Sequence, residues 1–312
     1  MYSDDVWAWF LPFSSTDYTR HFLKAIYEKN GVQEPLSNSY KNADPFCFYI
    51  EHGKKFYRQT MCAPYELKPI LLFYGVTQLL KACLLTVDPD YPKNASVLAH
   101  GVSARKRKKS RYEFLQDTVQ IQKSGLFSYA SQHLFAASPM DGIKLKMVDL
   151  MQSIPDLHPL YERLLNRSYC YPVFAHDDGT YSVTDDILNE LHMAKDRFFH
   201  FLSQYIEPVR QPVQKRLVFR VINPAVFLRD INGKWYLSCI KSNYPPISEP
   251  LVHYLLLYNL SMIARYETEW WYVLHMEHTS IDLPLIHFFL DVTEKKFPLL
   301  IAEWLHDKMS SI

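Results

Sequence analysis

The sequence predicts an α+β protein that is mainly α-helical, with helical N- and C-terminal parts packed together and short β-hairpins in the middle. Three observations predict it. Apolar residues recur at three- and four-residue spacing in the first and last parts of the chain. The middle carries alternating segments and Asx-Gly turn dipeptides. No Gly/Ser-rich linker, low-complexity tract or repeat period interrupts the 312 residues. The expected arrangement is one compact domain or two closely packed parts, with a helical part at 1–112, a mixed part at 113–247, and a helical part at 248–312 that joins the first.

Ser14, Ser15 and Thr16 are N-cap types, Tyr18, Phe22, Ala25 and Ile26 share a face, and Gly31 is a stop, so a helix is predicted over 16–30. Asp44 and Pro45 read as the cap and first residue of a second helix carrying Phe46, Tyr49, Ile50, Phe56, Tyr57 and Thr60. Pro69 to Val87 is apolar nearly all round, the pattern of a helix at the centre of a packing unit. Asp117 to Lys123 alternates with Val119 and Ile121 on one side, which predicts a strand. Leu145–Ser153 and Leu157–Asn166 read as helices, and Tyr169–Ala175 with Tyr181–Thr184 as a hairpin about Asp178-Gly179.

Asp185 and Asp186 are expected to cap one long helix to about Ile206, burying Ile187, Leu188, Leu191, Ala194, Phe198, Leu202 and Tyr205. Strands follow at Leu217–Ile222, Val226–Ile231 and Trp235–Ile240, the last two joined by Asn232-Gly233. Helices return at Leu251–Tyr266, Leu283–Glu294 and Pro298–Lys308, with Pro250, Pro284 and Pro298 near their first turns.

Charge is balanced, 34 Lys plus Arg against 33 Asp plus Glu, and 48% of residues are hydrophobic. These values exclude a uniformly basic surface and a disordered acidic scaffold. The N-terminus lacks the cationic region of a secretory signal, and the longest apolar runs fall short of the ~20 residues of a membrane span, so a cytoplasmic protein is expected. Five widely spaced Cys without a C-x-x-C pair read as reduced thiols.

The most unusual segment is Arg105, Lys106, Arg107, Lys108, Lys109, Ser110, Arg111, six cations in seven residues, preceded by His100 and Gly101. Such a run suits nucleic-acid or nucleotide phosphates, an acidic protein surface, or plain solvation. Arg265 ends an apolar helix just before Glu267, Glu269, Trp270 and Trp271. It reads either as a cap paired with those carboxylates or as part of an anion clamp. His100, Arg105, Lys106, Arg107, Lys108, Lys109, Arg111 and Arg265 are therefore the candidate phosphate- or partner-binding residues. His275, Glu277, His278 and His287 are the only candidate metal ligands, and they match no zinc spacing. No dinucleotide fingerprint, phosphate-cradling loop or nucleophile elbow is present. No catalytic residue and no cofactor is assigned; a homo-oligomer through the aromatic surface is an alternative mode of action.

Lys68-Pro69, Leu71 to Gly75, Lys81-Ala82, His100-Gly101, Ile154-Pro155-Asp156-Leu157, Leu260-Ser261-Met262 and Ala264-Arg265-Tyr266 together resemble the YaaC-like family of bacilli. The resemblance implies a cytosolic protein without an assigned activity. Some members are encoded beside IMP dehydrogenase, which implies a link to guanine-nucleotide metabolism and makes that enzyme an expected protein partner. The apolar helix with its Tyr-Gly and His-Gly steps also resembles HEPN-type helical proteins, many of them ribonucleases. Their Arg followed within four to six residues by His is missing here. The expectation is a binding or regulatory protein, with a divergent nuclease or phosphohydrolase using Arg265, Glu267, Glu269 and His275 or His278 as the alternative.

Overall fold

The computed structural model describes residues 6–104, 112–209, 215–241, 244, 246–278 and 280–310, so the basic run 105–111 lies outside it. The chain forms two compact units, residues 1–147 with 253–312 and residues 148–252.

The first unit begins with a turn of helix, α1 (Val6–Trp9), and α2 (Thr16–Lys29). Ser15 Oγ accepts the Tyr18 N–H at 3.3 Å, supplying the cap that the sequence predicts, and Gly31 ends the helix at φ +67°. The next helix, α3 (Pro35–Cys62), starts ten residues before the expected Pro45. Pro35 occupies the first turn, where a missing N–H costs nothing, and Pro45 sits inside the helix. Asp44 is no cap: it accepts a hydrogen bond from Thr16 Oγ1 at 3.0 Å. Buried Ala43, Phe46, Ile50 and Tyr57 keep one face against the core across the proline. The central helix α4 (Lys68–Val87) packs on α3 at two glycines. A Cβ on Gly75 would stand 2.8 Å from the Tyr57 ring, and one on Gly53 3.0 Å from Leu79, so each glycine admits a large neighbour. Among the described residues α4 alone is long and apolar enough to cross a membrane, and 67% of its most apolar stretch is buried in the fold.

Strands β1 (Val102–Ala104) and β2 (Thr118–Ile121), helix α5 (Leu126–Phe135) and strand β3 (Lys144–Lys146) follow, the strands forming an antiparallel sheet in the order β1-β2-β3. Val119 and Ile121 are buried, as their alternation predicts. Leu145 pairs with Val119, so the helix expected from 145 starts later, as α6 (Met147–Met151).

In the second unit α7 (His158–Leu165) leads to β4 (Cys170–Ala175) and β5 (Tyr181–Thr184), joined through Gly179 at φ +77°. The long helix expected from Asp185 to Ile206 is two pieces, α8 (Asp186–Leu191) and α9 (Lys195–Phe201). His192 turns left-handed at φ 49°, the Met193 N–H closes back on the Leu188 carbonyl at 3.0 Å, and Ile206 belongs to a strand. Of the face expected to be buried, Ile187, Leu191, Phe198 and Leu202 are buried, Leu188 and Tyr205 are half-buried, and Ala194, just past the break at His192, is exposed. Strands β6 (Ile206–Pro208), β7 (Arg216–Val221), β8 (Leu228–Arg229) and β9 (Trp235–Ser238) complete an antiparallel sheet ordered β6-β7-β5-β4-β9-β8. In the Asn232-Gly233 turn, Asp230 Oδ1 accepts the N–H groups of Asn232 and Lys234 at 2.9 Å each.

Helix α10 (Glu249–Tyr266) returns the chain to the first unit, followed by α11 (Thr268–Glu277) and α12 (Asp282–Ser310). The two helices expected at 283–294 and 298–308 are one, with Pro298 inside it. Phe289, Leu290, Phe297, Ile301 and Leu305 are all buried, and this continuous apolar face outweighs the bond that the proline removes. All five cysteines are free: Cys83, Cys170 and Cys239 are buried, Cys47 is half-buried, and Cys62 is exposed at the end of α3.

Candidate anion-binding site

His100 is fixed through its backbone. Gly101 (φ +75°) and Gly125 (φ +125°) cross so closely that a Cβ on Gly125 would lie 2.3 Å from the Gly101 backbone. The Leu126 N–H donates to the Ala99 carbonyl at 2.7 Å and the Phe127 N–H to the His100 carbonyl at 3.2 Å. The Tyr254 hydroxyl donates to the same His100 carbonyl at 2.8 Å. The imidazole then meets the rings of Phe73 and Tyr258 edge to face, with centroids 5.1 and 5.7 Å away.

Arg265 arrives from the last turn of α10. Its Nε donates to the Ser261 carbonyl at 3.0 Å; Nη1 reaches the Tyr74 hydroxyl at 3.5 Å, and Nη2 reaches Ser261 Oγ at 3.5 Å and Met262 Sδ at 3.3 Å. Neither Glu267 nor Glu269 pairs with it among the described residues, so of the reading as a cap paired with those carboxylates the capping contact is present and the ion pair is not. Nε has the one short bond to oxygen, Nη2 has a normal contact to sulfur, and both terminal nitrogens reach hydroxyl oxygens only at 3.5 Å.

Lys81 lies two turns after Tyr74 on α4, its ammonium 5.7 Å from the Tyr49 ring centre, with no carboxylate in reach among the described residues. Burial lowers its pKa. Burial also lowers that of His100, and the charges of Arg265 and Lys81 push in the same direction, so the imidazole is neutral at neutral pH. Burial raises the pKa of Tyr258, with the Arg265 charge opposing. Two cations, a neutral imidazole and two tyrosines thus share a region that the fold leaves uncompensated. A guanidinium fork and an ammonium suit phosphate oxygens, and the hydroxyls and imidazole supply further hydrogen bonds.

The structure brings together His100 and Arg265 of the sequence-predicted set. Arg105, Lys106, Arg107, Lys108, Lys109 and Arg111 fall outside the described residues. Their described flanks are Ala104, which ends β1, and Tyr112, whose ring packs edge-on against Trp270 of α11 at 4.4 Å. The Tyr112 hydroxyl bonds the Asp117 carboxylate, which also accepts the Asn259 amide at 3.2 Å, and the Phe114 N–H donates to buried Asp282 at 2.7 Å. The described residues that follow the run therefore contact α10, which carries Arg265, as well as α11 and α12.

The sequence model for YaaC-like Protein matches residues 11–305. The chain belongs to the YaaC-like family. No curated protein and no solved structure matches the chain. Of the residues that carry the YaaC-like resemblance, Phe73, Tyr74, Lys81, His100-Gly101, Ser261, Met262 and Arg265 all belong to this one cluster or its supports.

Lys81, Tyr74 and Tyr258 were not legible as site residues. The available signal was the charge of Lys81 itself, a cation in the second half of a helix that is otherwise apolar on nearly every face. The nuclease set divides between two places. Arg265 contacts Tyr74, whereas His275 lies 5.2 Å from His287, ring centre to ring centre, and His278 is the left-handed cap of α11. Among the described residues no three His, Cys, Asp or Glu side chains stand together as a metal site.

Proposed function

We propose that this YaaC-like protein is a cytoplasmic binding or regulatory protein that takes a phosphate-bearing ligand, a nucleotide or a nucleic acid, at Lys81, His100 and Arg265, extended by the basic run 105–111. The observation that carries the reading is a guanidinium whose terminal nitrogens reach hydroxyls only at 3.5 Å and that pairs with no carboxylate among the described residues, beside a second cation that also lacks one. The run supplies six further cations directly after β1. A protein partner, for which the family resemblance nominates IMP dehydrogenase, would present acidic groups or a bound nucleotide to the same surface.

The test is titration of a fluorescent guanine nucleotide and of a short single-stranded RNA into the full chain at low and high salt. The expected result is an affinity that falls with salt and drops about tenfold or more in Arg265→Ala, roughly 1.4 kcal/mol. An unchanged affinity in folded Arg265→Ala and Lys81→Ala, or no binding of either probe, overturns it.

A divergent nuclease or phosphohydrolase is the second reading, favoured by a neutral imidazole next to an arginine. It requires RNA or nucleotide turnover by the wild type that disappears in folded His100→Ala.

A further inference from the structure

His275 on α11 and His287 on α12 face one another outside the anion-binding cluster. His275 Nδ1 stands 2.8 Å from the Trp271 carbonyl. A carbonyl only accepts, so Nδ1 carries the ring hydrogen and Nε2 presents a lone pair. This Nε2 and the Nε2 of His287 are both buried and without a hydrogen-bond partner among the described residues. Leaving a buried polar atom unpaired is costly, and two on adjacent rings require a physical cause.

The spacing supplies one. The ring centres are 5.2 Å apart and the planes are inclined by 39°. Two imidazoles bound through Nε2 to one tetrahedral ion, at about 2.0–2.1 Å per bond, place their ring centres about 5 Å apart. Both rings are held in position by the chain itself. His287 stacks on Tyr65 at 3.9 Å, and the Tyr65 hydroxyl donates to Asp291 at 2.7 Å. Trp271, whose carbonyl orients His275, donates its indole N–H to the Glu66 carbonyl at 3.0 Å. A backbone carbonyl on the far ring nitrogen is the usual outer partner of a metal-bound histidine.

We propose that His275 and His287 form a two-histidine site for a borderline divalent transition-metal ion of the Zn2+ class. No third His, Cys, Asp or Glu joins the pair among the described residues, which leaves further positions to water or to a small ligand.

Calorimetric titration of the full chain with Zn2+ tests this. One ion per chain is expected, with a Kd tighter than about 0.1 mM. Binding should be lost in His275→Phe and in His287→Phe, and kept in His133→Gln. Should either Phe variant fail to fold, imidazole nitrogen NMR of the wild type gives the same answer: Zn2+ should move the Nε2 signals of His275 and His287. No saturable binding, binding retained in both folded Phe variants, or unmoved Nε2 signals each overturn the site.

Discussion

Lys68 and Lys81 stand toward opposite ends of α4 and meet opposite surroundings. Lys68, at the first helical position where a cation opposes the helix dipole, lies 2.9 Å from Glu294 and 3.4 Å from Asp291. Burial alone would lower its pKa, but the hydrogen bond and charge of Glu294, then those of Asp291, raise it instead. Lys81 has no such partner, and burial lowers its pKa. The fold neutralises the cation that ties α4 to α12 and leaves uncompensated the one beside His100. A charge kept partly buried without a partner contributes nothing to holding helices together, and this is the difference between an adhesive lysine and one available to a ligand.

The strongest way to break this contrast is to remove the backbone that holds one side of it. Gly125→Ala places a Cβ 2.3 Å from the Gly101 backbone at φ +125°. It should cost about 3 kcal/mol or more, seen as a lower denaturant midpoint, and displace His100. Next in size is Lys68→Met, which leaves Glu294 (19% exposed) and Asp291 (39% exposed) without their cation. A loss of about 1–3 kcal/mol is expected, reduced from the buried-pair value by the exposure of Asp291. Lys81→Met sharpens the contrast from the other side: stability should stay within about 0.5 kcal/mol while anion affinity falls. Equal destabilisation by both lysine variants would erase the distinction.

The smallest effect is on pH. His287 is surrounded by Tyr65, Glu66, His275, His278 and Asp291, and burial followed by His275 lowers its pKa to about 4. The unfolded chain then binds more protons than the folded one between about 6.5 and about 4, so stability is full above that window and falls as pH drops through it. Melting temperatures of the metal-free chain at neutral and mildly acidic pH should therefore differ, and His287→Phe should narrow the gap while keeping the stack on Tyr65.

The helices were legible where one apolar face and a cap coincided, as at Ser15 in α2, and where the run was apolar nearly all round, as in α4, which has no side-chain cap. The failures have a common cause. Pro45 and Pro298 were read as helix starts, yet both lie inside long helices, because packing on both sides of a proline outweighs one lost backbone bond. Conversely, His192 breaks a pattern of which Ile187, Leu191, Phe198 and Leu202 stay buried while Ala194, beside the break, is exposed, since periodicity records which side is covered and not whether the backbone is continuous. Of the site, His100 and Arg265 were visible as residues. Their meeting was not, because it depends on a crossing of Gly101 and Gly125 that leaves no periodic trace.

The distribution of thiols has a practical consequence. Burial raises the pKa of Cys83, Cys170 and Cys239, and Cys47 contacts Thr19 Oγ1 at 3.2 Å, while Cys62 alone is exposed. The native chain therefore carries its own attachment point for a thiol-directed dye at the end of α3. A single fluorophore introduced there without mutagenesis provides a reporter for following ligand or partner arrival in solution.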